Sequence, residues 1–189
     1  MNQYKYWKKV FDFALAAILI LFLMPVLIIL FVIASLDTSS NGIFFQTRIG
    51  QYGKPFTIFK IKTIHEHKRT CSKVGQALRK FKLDEFPQLF NIVKGDMSFV
   101  GPRPDIEGYY DKLVGEDRKV LELKPGLTCE ASIKYRDEEY LLKNQEDPLA
   151  YNDEVVFPNK VKMNLEYFES MSFKNDIKIL FKTLITTLK

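Results

Sequence analysis

The chain is poor in cysteine, histidine and tryptophan: its 189 residues include two, two and one of them. Two cysteines, Cys71 and Cys129, cannot build a disulfide framework, which excludes a disulfide-stapled secreted domain. His65 and His67 flank Glu66 without the i, i+3 or i+4 spacing of helical metal ligands, and no third ligand is near, so they read as a solvated loop. Cys71 lies among basic residues that favour a thiolate, yet no base is paired with it, and it reads as an incidental thiol. Charge is missing altogether from Phe13 to Leu36, a run of 24 residues. Acid is nearly missing from 48–82, where Glu66 stands alone against ten Lys or Arg. What is present, 47% hydrophobic and 27% charged residues, excludes disorder and low complexity. The length suits one domain of ordinary size rather than two.

The net charge of +5 hides a division. Residues 48–82 carry +9, whereas 83–189 hold 15 basic and 20 acidic side chains. A basic block just after an apolar run can face anionic headgroups, anionic substrates or simply water. Nucleic acid is excluded as a partner, because the rest of the chain is acidic and carries no nucleic-acid motif.

The apolar run is too long for a signal-peptide core and lacks an A-x-A cleavage site, so it is expected to stay attached. At about 1.5 Å per residue it reaches far enough to span a bilayer. Pro25 sits near its midpoint and predicts a kink. Two half-helices of about 17 Å each would enter one leaflet and return to the same face. Lys5, Lys8 and Lys9 favour a cytoplasmic N-terminus, and Tyr4, Tyr6 and Trp7 read as interfacial anchors. A straight span would put the remainder outside the cell and a re-entrant hairpin would keep it inside.

Ile43–Phe45 and Phe56–Ile61 read as strands joined through a turn at 51–55. Val74, Leu78 and Phe81 predict an amphipathic helix over 73–82. Pro87 suits the first turn of a helix over 87–94, with Leu89, Phe90 and Val93 inward and Gly95 ending it. Further helices are expected at 105–123, at 138–143 and, in two pieces, at 162–188. The last presents Ile177, Leu180, Phe181, Leu184, Ile185 and Leu188 on one face, flanked by Lys174, Lys178, Lys182 and Lys189, which suits an interfacial helix as well as a core one. The expected fold class is α+β, helix-dominated, with short strands and amphipathic interfacial helices. Residues 1–36 are expected to form a membrane-embedded segment and 37–189 a single water-facing domain that ends in an amphipathic helix.

Asp84 and Glu85 fall between two helices, because Pro87 disfavours a helical Phe86. There, near a helix N-terminus, a carboxylate can attack phosphorus if cations offset the repulsion, although an acidic pair before proline is commonly just a helix start. In Gly101-Pro102-Arg103-Pro104 two prolines stiffen the chain around a guanidinium suited to bidentate phosphate contact; alone, the tetrapeptide is equally a rigid turn.

Five stretches occur in one order and spacing: Lys8-Lys9-Val10-Phe11-Asp12; Gly53-Lys54-Pro55-Phe56; Leu83-Asp84-Glu85-Phe86-Pro87-Gln88-Leu89-Phe90-Asn91; Lys94-Gly95-Asp96-Met97-Ser98-Phe99-Val100-Gly101-Pro102-Arg103-Pro104; and Lys124-Pro125-Gly126-Leu127-Thr128. The set resembles the bacterial sugar transferases, the monotopic polyprenyl-phosphate phosphoglycosyl transferases, over residues 5–136 and most clearly over 83–104. The resemblance implies transfer of a sugar 1-phosphate from a UDP-sugar to a polyprenyl phosphate such as undecaprenyl phosphate. The products are a polyprenyl diphosphate sugar and UMP, in the first membrane step of surface glycan assembly.

The resemblance also implies roles for single residues. Asp84 is the nucleophile that forms an acyl-phosphosugar, and Glu85 is its partner. Mg²⁺ bridges Asp84 and the substrate diphosphate, and Arg79 and Arg103 hold phosphate. The implied anchor is a re-entrant helix hairpin bent at a Ser-Pro pair, in the bacterial inner membrane with the catalytic domain on the cytoplasmic face. Here Met24 precedes Pro25, so the serine hydroxyl is lost at the bend. After Thr128, better-known members continue Gly-x-Ala-Gln-Val-x-Gly-Arg. This chain has Cys129-Glu130-Ala131-Ser132-Ile133-Lys134-Tyr135-Arg136, which retains the alanine and Arg136, a third phosphate-binding candidate. Two other readings stay open: a non-catalytic binder of lipid phosphate or of a partner protein, and direct attack by the lipid with Asp84 only a metal ligand.

Overall fold

The computed structural model describes Asn2–Leu188. The charge-free run forms most of one helix, α1 (Asn2–Thr38), which continues through Pro25 without a break. Leu27, Leu30 and Ala34, at helical spacing, are buried on one face of it, while Leu21, Phe22 and Leu36 are each at least 74% exposed on the other. Its last turn is closed by Ser35 and Thr38, whose hydroxyls donate to Phe31 O (2.8 Å) and Ala34 O (2.7 Å).

Strand β1 (Ile43–Ile49) pairs antiparallel with β2 (Pro55–Ile61), in register from Ile43 with Ile61 to Ile49 with Pro55. The turn between them is a short 3₁₀ piece at Gln51–Gly53. Helix α2 (Lys73–Lys80) begins at Ser72, whose hydroxyl accepts from Gly75 N at 3.0 Å. Lys82 then turns left-handed (φ 57°) and opens a 3₁₀ turn over Leu83–Glu85. Phe86 is helical (φ −54°, ψ −36°), contrary to the expectation from Pro87. It packs against the buried cluster of Leu30, Ala34, Ile61 and Leu78, and this burial outweighs the local pre-proline preference.

Helix α3 (Gln88–Lys94) ends at Gly95 as the sequence predicts. Its inward face is rotated from the expected one. Gln88, Leu89, Asn91 and Ile92 are buried and Phe90 is exposed. The cause is Asn91, which is fully buried because it replaces a strand partner for β2: its Oδ1 accepts from Phe59 N (3.1 Å) and its Nδ2 donates to Thr57 O (2.7 Å).

Strands β3 (Ser98–Val100) and β4 (Gly126–Thr128) form a short parallel pair at the centre of the core. The helix expected over 105–123 is absent: the segment holds 3₁₀ turns at Tyr110–Lys112 and Gly115–Glu122. Gly108 (φ 106°) and Gly115 (φ 58°) both take conformations that end a right-handed helix. Short helices α4 (Glu130–Lys134), α5 (Glu138–Lys143) and α6 (Pro148–Tyr151) lead through a π turn into α7 (Phe157–Ser170) and α8 (Phe173–Leu188). The C-terminal helix is thus in two pieces, but it begins at Phe157 rather than 162. On α8, Asp176 and Ile179 point inward, whereas Ile177, Phe181, Leu184 and Ile185 are exposed. Lys189 lies outside the described residues. The fold is α+β and helix-dominated, with two small sheets and one long apolar N-terminal helix.

Candidate functional site

Asp84 and Glu85 are each only 8% exposed, although both are charged and adjacent. Their fates differ. Glu85 is paired: Arg103 donates from Nη2 to its Oε1 (2.5 Å) and from Nη1 to its Oε2 (3.3 Å), and Lys60 Nζ lies 3.2 Å from Oε1. Burial alone would raise the Glu85 carboxyl. The charges of Arg103 and Lys60 and the hydrogen bond from Arg103 outweigh it and hold the group down at about 2. The same pair raises the Arg103 guanidinium above its ordinary value.

Asp84 has no such partner. Its Oδ1 is buried and accepts no hydrogen bond. Burial first, and then repulsion from Glu85, raise its carboxyl above the ordinary aspartate value, while Lys60, Lys82 and Arg79 pull the other way. An orphaned buried carboxylate oxygen costs free energy unless something cationic or electrophilic meets it.

The fold puts the cations there by three separate routes. Lys60 lies between Phe59 and Ile61 on β2, and strand alternation turns it to the face opposite theirs. Arg103 follows β3 at a backbone crossing: a Cβ on Gly101 would sit 2.2 Å from Lys124 O, and one on Gly126 would sit 2.2 Å from Gly101 N. Only glycine permits that approach, and the bond from Gly126 N to Pro102 O (2.8 Å) locks it two residues after Lys124 and one before Arg103. Arg48, at the end of β1, pairs with Asp105 (3.7 Å) two residues beyond Arg103.

Glu85, Arg103, Arg48, Lys80 and Lys82 line the charged end of a cavity of about 950 Å³. Of the residues singled out from sequence, Asp84, Glu85 and Arg103 come together. Arg136 also reaches the cavity wall, but its Nη1 donates to Thr186 O and ties α8 in place. Arg79 does not line the cavity; its Nε donates to Thr63 Oγ1 at 2.8 Å, and it acts on Asp84 through charge. Lys60, Arg48 and Lys82 went unnamed among the ten cations of the basic block. The strand period that turns Lys60 away from Phe59 and Ile61 was the available signal.

Among the described residues no group of three or more His, Cys, Asp or Glu is arranged to hold a metal ion. Mg²⁺ is commonly held by one or two carboxylates together with substrate phosphate oxygens, so a single free carboxylate is a sufficient protein contribution. Asp84, with its unpartnered oxygen, fits that role; Glu85 has both oxygens engaged by cations.

Residues 3–189 match the family profile described as bacterial sugar transferase. The chain belongs to that family. This sugar transferase is 33% identical over 189 residues to the uncharacterized sugar transferase EpsL of Bacillus subtilis (strain 168), covering 94% of this chain and 85% of that one. It is 30% identical over 200 residues to the UDP-glucose:undecaprenyl-phosphate glucose-1-phosphate transferase of Caulobacter vibrioides, covering 95% and 70%. It is 32% identical over 193 residues to the enzyme of the same name in Escherichia coli (strain K12), covering 94% of this chain and 39% of that longer one. The α1 helix of the sugar transferase is long and apolar enough to cross a membrane, and with the exposed apolar stripe of α8 it marks a membrane-associated protein.

Proposed function

We propose that this sugar transferase moves a sugar 1-phosphate from a UDP-sugar to a polyprenyl phosphate, such as undecaprenyl phosphate, through a covalent intermediate on Asp84. The observation that carries this reading is the unpartnered, buried Asp84 oxygen beside a carboxylate already neutralised by Arg103 and Lys60. A site built only to hold phosphate has no use for a free carboxylate, which repels it.

In the first step an Asp84 oxygen attacks the phosphorus next to the sugar. The bond from that phosphorus to the bridging oxygen breaks, and UMP leaves with the oxygen. In the second step an oxygen of the lipid phosphate attacks the same phosphorus and returns the Asp84 carboxylate. Arg103, held at Glu85, and the cations of 48–82 bind the phosphates and offset the charge that gathers as nucleophile and diphosphate meet. Arg79 and Arg136 add positive charge at the edges of the same region. Asp84 is the residue that would hold Mg²⁺, which when bound would supply Lewis-acid neutralisation of substrate phosphate oxygens. The Caulobacter and Escherichia relatives support the reaction class.

We further infer that residues 1–36 form a re-entrant anchor and that the catalytic remainder, 37–189, faces the cytoplasm at the inner membrane, where UDP-sugars are found. Both ends of α1 are tied to that remainder. At its start Tyr4 donates to Asp176 (2.7 Å) and Lys8 pairs with the same carboxylate. At its end Ser72 donates to Asp37 (2.7 Å) and Glu66 N donates to Thr38 O (3.2 Å). A straight span would separate its two ends by the bilayer thickness, about 30 Å. Attachment of both ends to one body supports a return to the same face, through a bend at Pro25 that leaves the helix continuous.

The test is UMP release by the nanodisc-held protein with a panel of UDP-sugars and Mg²⁺, with and without undecaprenyl phosphate. We expect lipid-dependent UMP from one donor, none from Asp84→Asn, and a phosphosugar trapped on the wild-type protein when lipid is withheld. Turnover by Asp84→Asn would overturn the covalent route; turnover by the wild type with no trapped adduct would favour direct attack by the lipid.

A further inference from the structure

The cavity at Glu85 and Arg103 has a second, mainly apolar end, where the guanidinium of Arg136 is engaged by Thr186 O. The start of α8 meets α1 about two turns into that helix: Phe11 packs edge-on against Phe173 (5.2 Å between centroids), and Lys8 pairs with Asp176. From there both run away from their N-termini. About 12–18 Å along α1, Leu19 and Leu23 line the cavity, and on α8 Leu180, Thr183 and Thr187 line it too.

The wall that α8 contributes is less polar than its sequence suggests. Thr183 donates to its own helix at Ile179 O (2.9 Å) and shares a hydrogen bond with Thr128 (2.7 Å), and Thr186 donates to Lys182 O (2.8 Å). With their hydroxyls engaged, these two side chains have their polar atoms already satisfied within the protein. Phe86, directly after the acidic pair, and Leu89, one turn further on, add apolar side chains to the wall beside the charged end.

The outer faces of the same two helices are apolar and uncovered. Ile18, Leu21 and Phe22 flank one side of the cleft, and Phe181, Leu184 and Ile185 flank the other. A ligand with an apolar chain can therefore pass from a bilayer into the cleft without crossing water, and its anionic end would arrive at Arg103.

We propose that the cleft between α1 and α8 holds the first isoprene units of the polyprenyl phosphate, so that the acceptor enters sideways from the membrane. The proposal rests on the phosphoglycosyl transferase reading. It adds the location of the lipid, its route of entry and the residues that grip it. The occupant is an isoprenoid chain rather than an acyl lipid, because the charged end of the cleft is lined by Glu85 and Arg103, next in the chain to the proposed nucleophile Asp84, and of the two lipids only the acceptor has a phosphate that the proposed reaction needs there.

The test is photolabelling in nanodiscs with a polyprenyl phosphate that carries a diazirine on the isoprene nearest its phosphate. The expected result is label in peptides spanning 19–23 and 180–187, competed by undecaprenyl phosphate and by far less of it than of a phosphatidylglycerol control. Label confined to outward residues such as Phe22 and Phe181, and not competed, overturns the proposal. Leu23→Trp and, separately, Thr183→Trp fill the cleft, and each should cut the competed label about tenfold through overpacking of a bounded space. Both should raise the KM for undecaprenyl phosphate more than that for geranyl phosphate, whose chain is too short to reach far along the cleft. Equal effects on the two acceptors in both variants count against it.

Labelling needs no turnover, so the two readings fail separately. Competed label in the cleft with no UMP from any donor overturns the transferase reading and leaves a lipid-phosphate site. Turnover without label in the cleft overturns the cleft alone.

Discussion

Arg103 and Glu85 form a two-pronged pair, with Nη2 2.5 Å from Oε1 and Nη1 3.3 Å from Oε2, across 17 intervening residues. The guanidinium sequence reasoning assigns to phosphate is thus already oriented by the carboxylate next to the proposed nucleophile. Glu85 spends its charge on Arg103 and Lys60, which leaves Asp84 the only free carboxylate of the two.

Arg103→Ala should cost at least about 2 kcal/mol of transition-state stabilisation, read as a fall in kcat/KM, because a charge-assisted contact disappears and Glu85 loses its main partner. Arg103→Lys should recover only part of this, since an ammonium cannot span both oxygens of Glu85. Equal activity of the lysine variant and the wild type would remove the paired geometry from the mechanism.

Asp84→Asn should leave the fold at least as stable as the wild type at neutral pH while abolishing turnover. The folded-state carboxyl of Asp84 is raised, so folding disfavours its ionised form above that value. The advantage of asparagine should therefore be present at pH 7 and vanish as pH falls below the ordinary aspartate value of 3.8. Urea midpoints of both proteins at neutral and acid pH measure it.

Glu85→Gln should show the opposite sign. Its carboxyl is held down to about 2, so its contribution is fully present above the ordinary value of 4.5 and is lost as pH falls from there towards 2. The penalty of the substitution should reach at most about 3 kcal/mol at pH 7 and shrink in acid. A penalty that does not change with pH would mean that shape, not charge, makes the pair.

Asp176→Ala should destabilise the attachment of α1 by about 3–5 kcal/mol, because Lys8 is buried and loses its nearest countercharge. Lys8→Met combined with Asp176→Leu should recover much of that loss. Unfolding midpoints in detergent check both. Ser98, which donates to Asp12 at 2.6 Å, extends this buried network from α1 to the strand that leads into Arg103.

Local features were legible wherever short-range chemistry sets them. The turn residues at 51–55 placed a hairpin, and the spacing of Val74, Leu78 and Phe81 placed the helix at Lys73–Lys80. The helix expected over 105–123 failed because two glycines there take left-handed backbone, a signal present in the sequence but outweighed by the apolar pattern. The inward face of α3 was misjudged because a polar residue, Asn91, is the one that belongs inside: it substitutes for missing strand partners of β2, and nothing in the helix itself requires that.

By itself the sequence determined the apolar run with proline at its middle, the basic block after it, the acidic pair between two helices, and the two prolines that stiffen the chain around Arg103. These follow from periodicity, sterics and charge within a few residues. Tertiary structure alone decided which cation serves which carboxylate. Lys60 and Arg103 reach Glu85 across 25 and 18 residues of chain, and Asp84 is left unpaired. It also decided that both ends of α1 attach to the same body. Side-chain propensities act over a turn of helix or a strand pair, whereas charge pairing at this distance depends on how the packed elements close around one another.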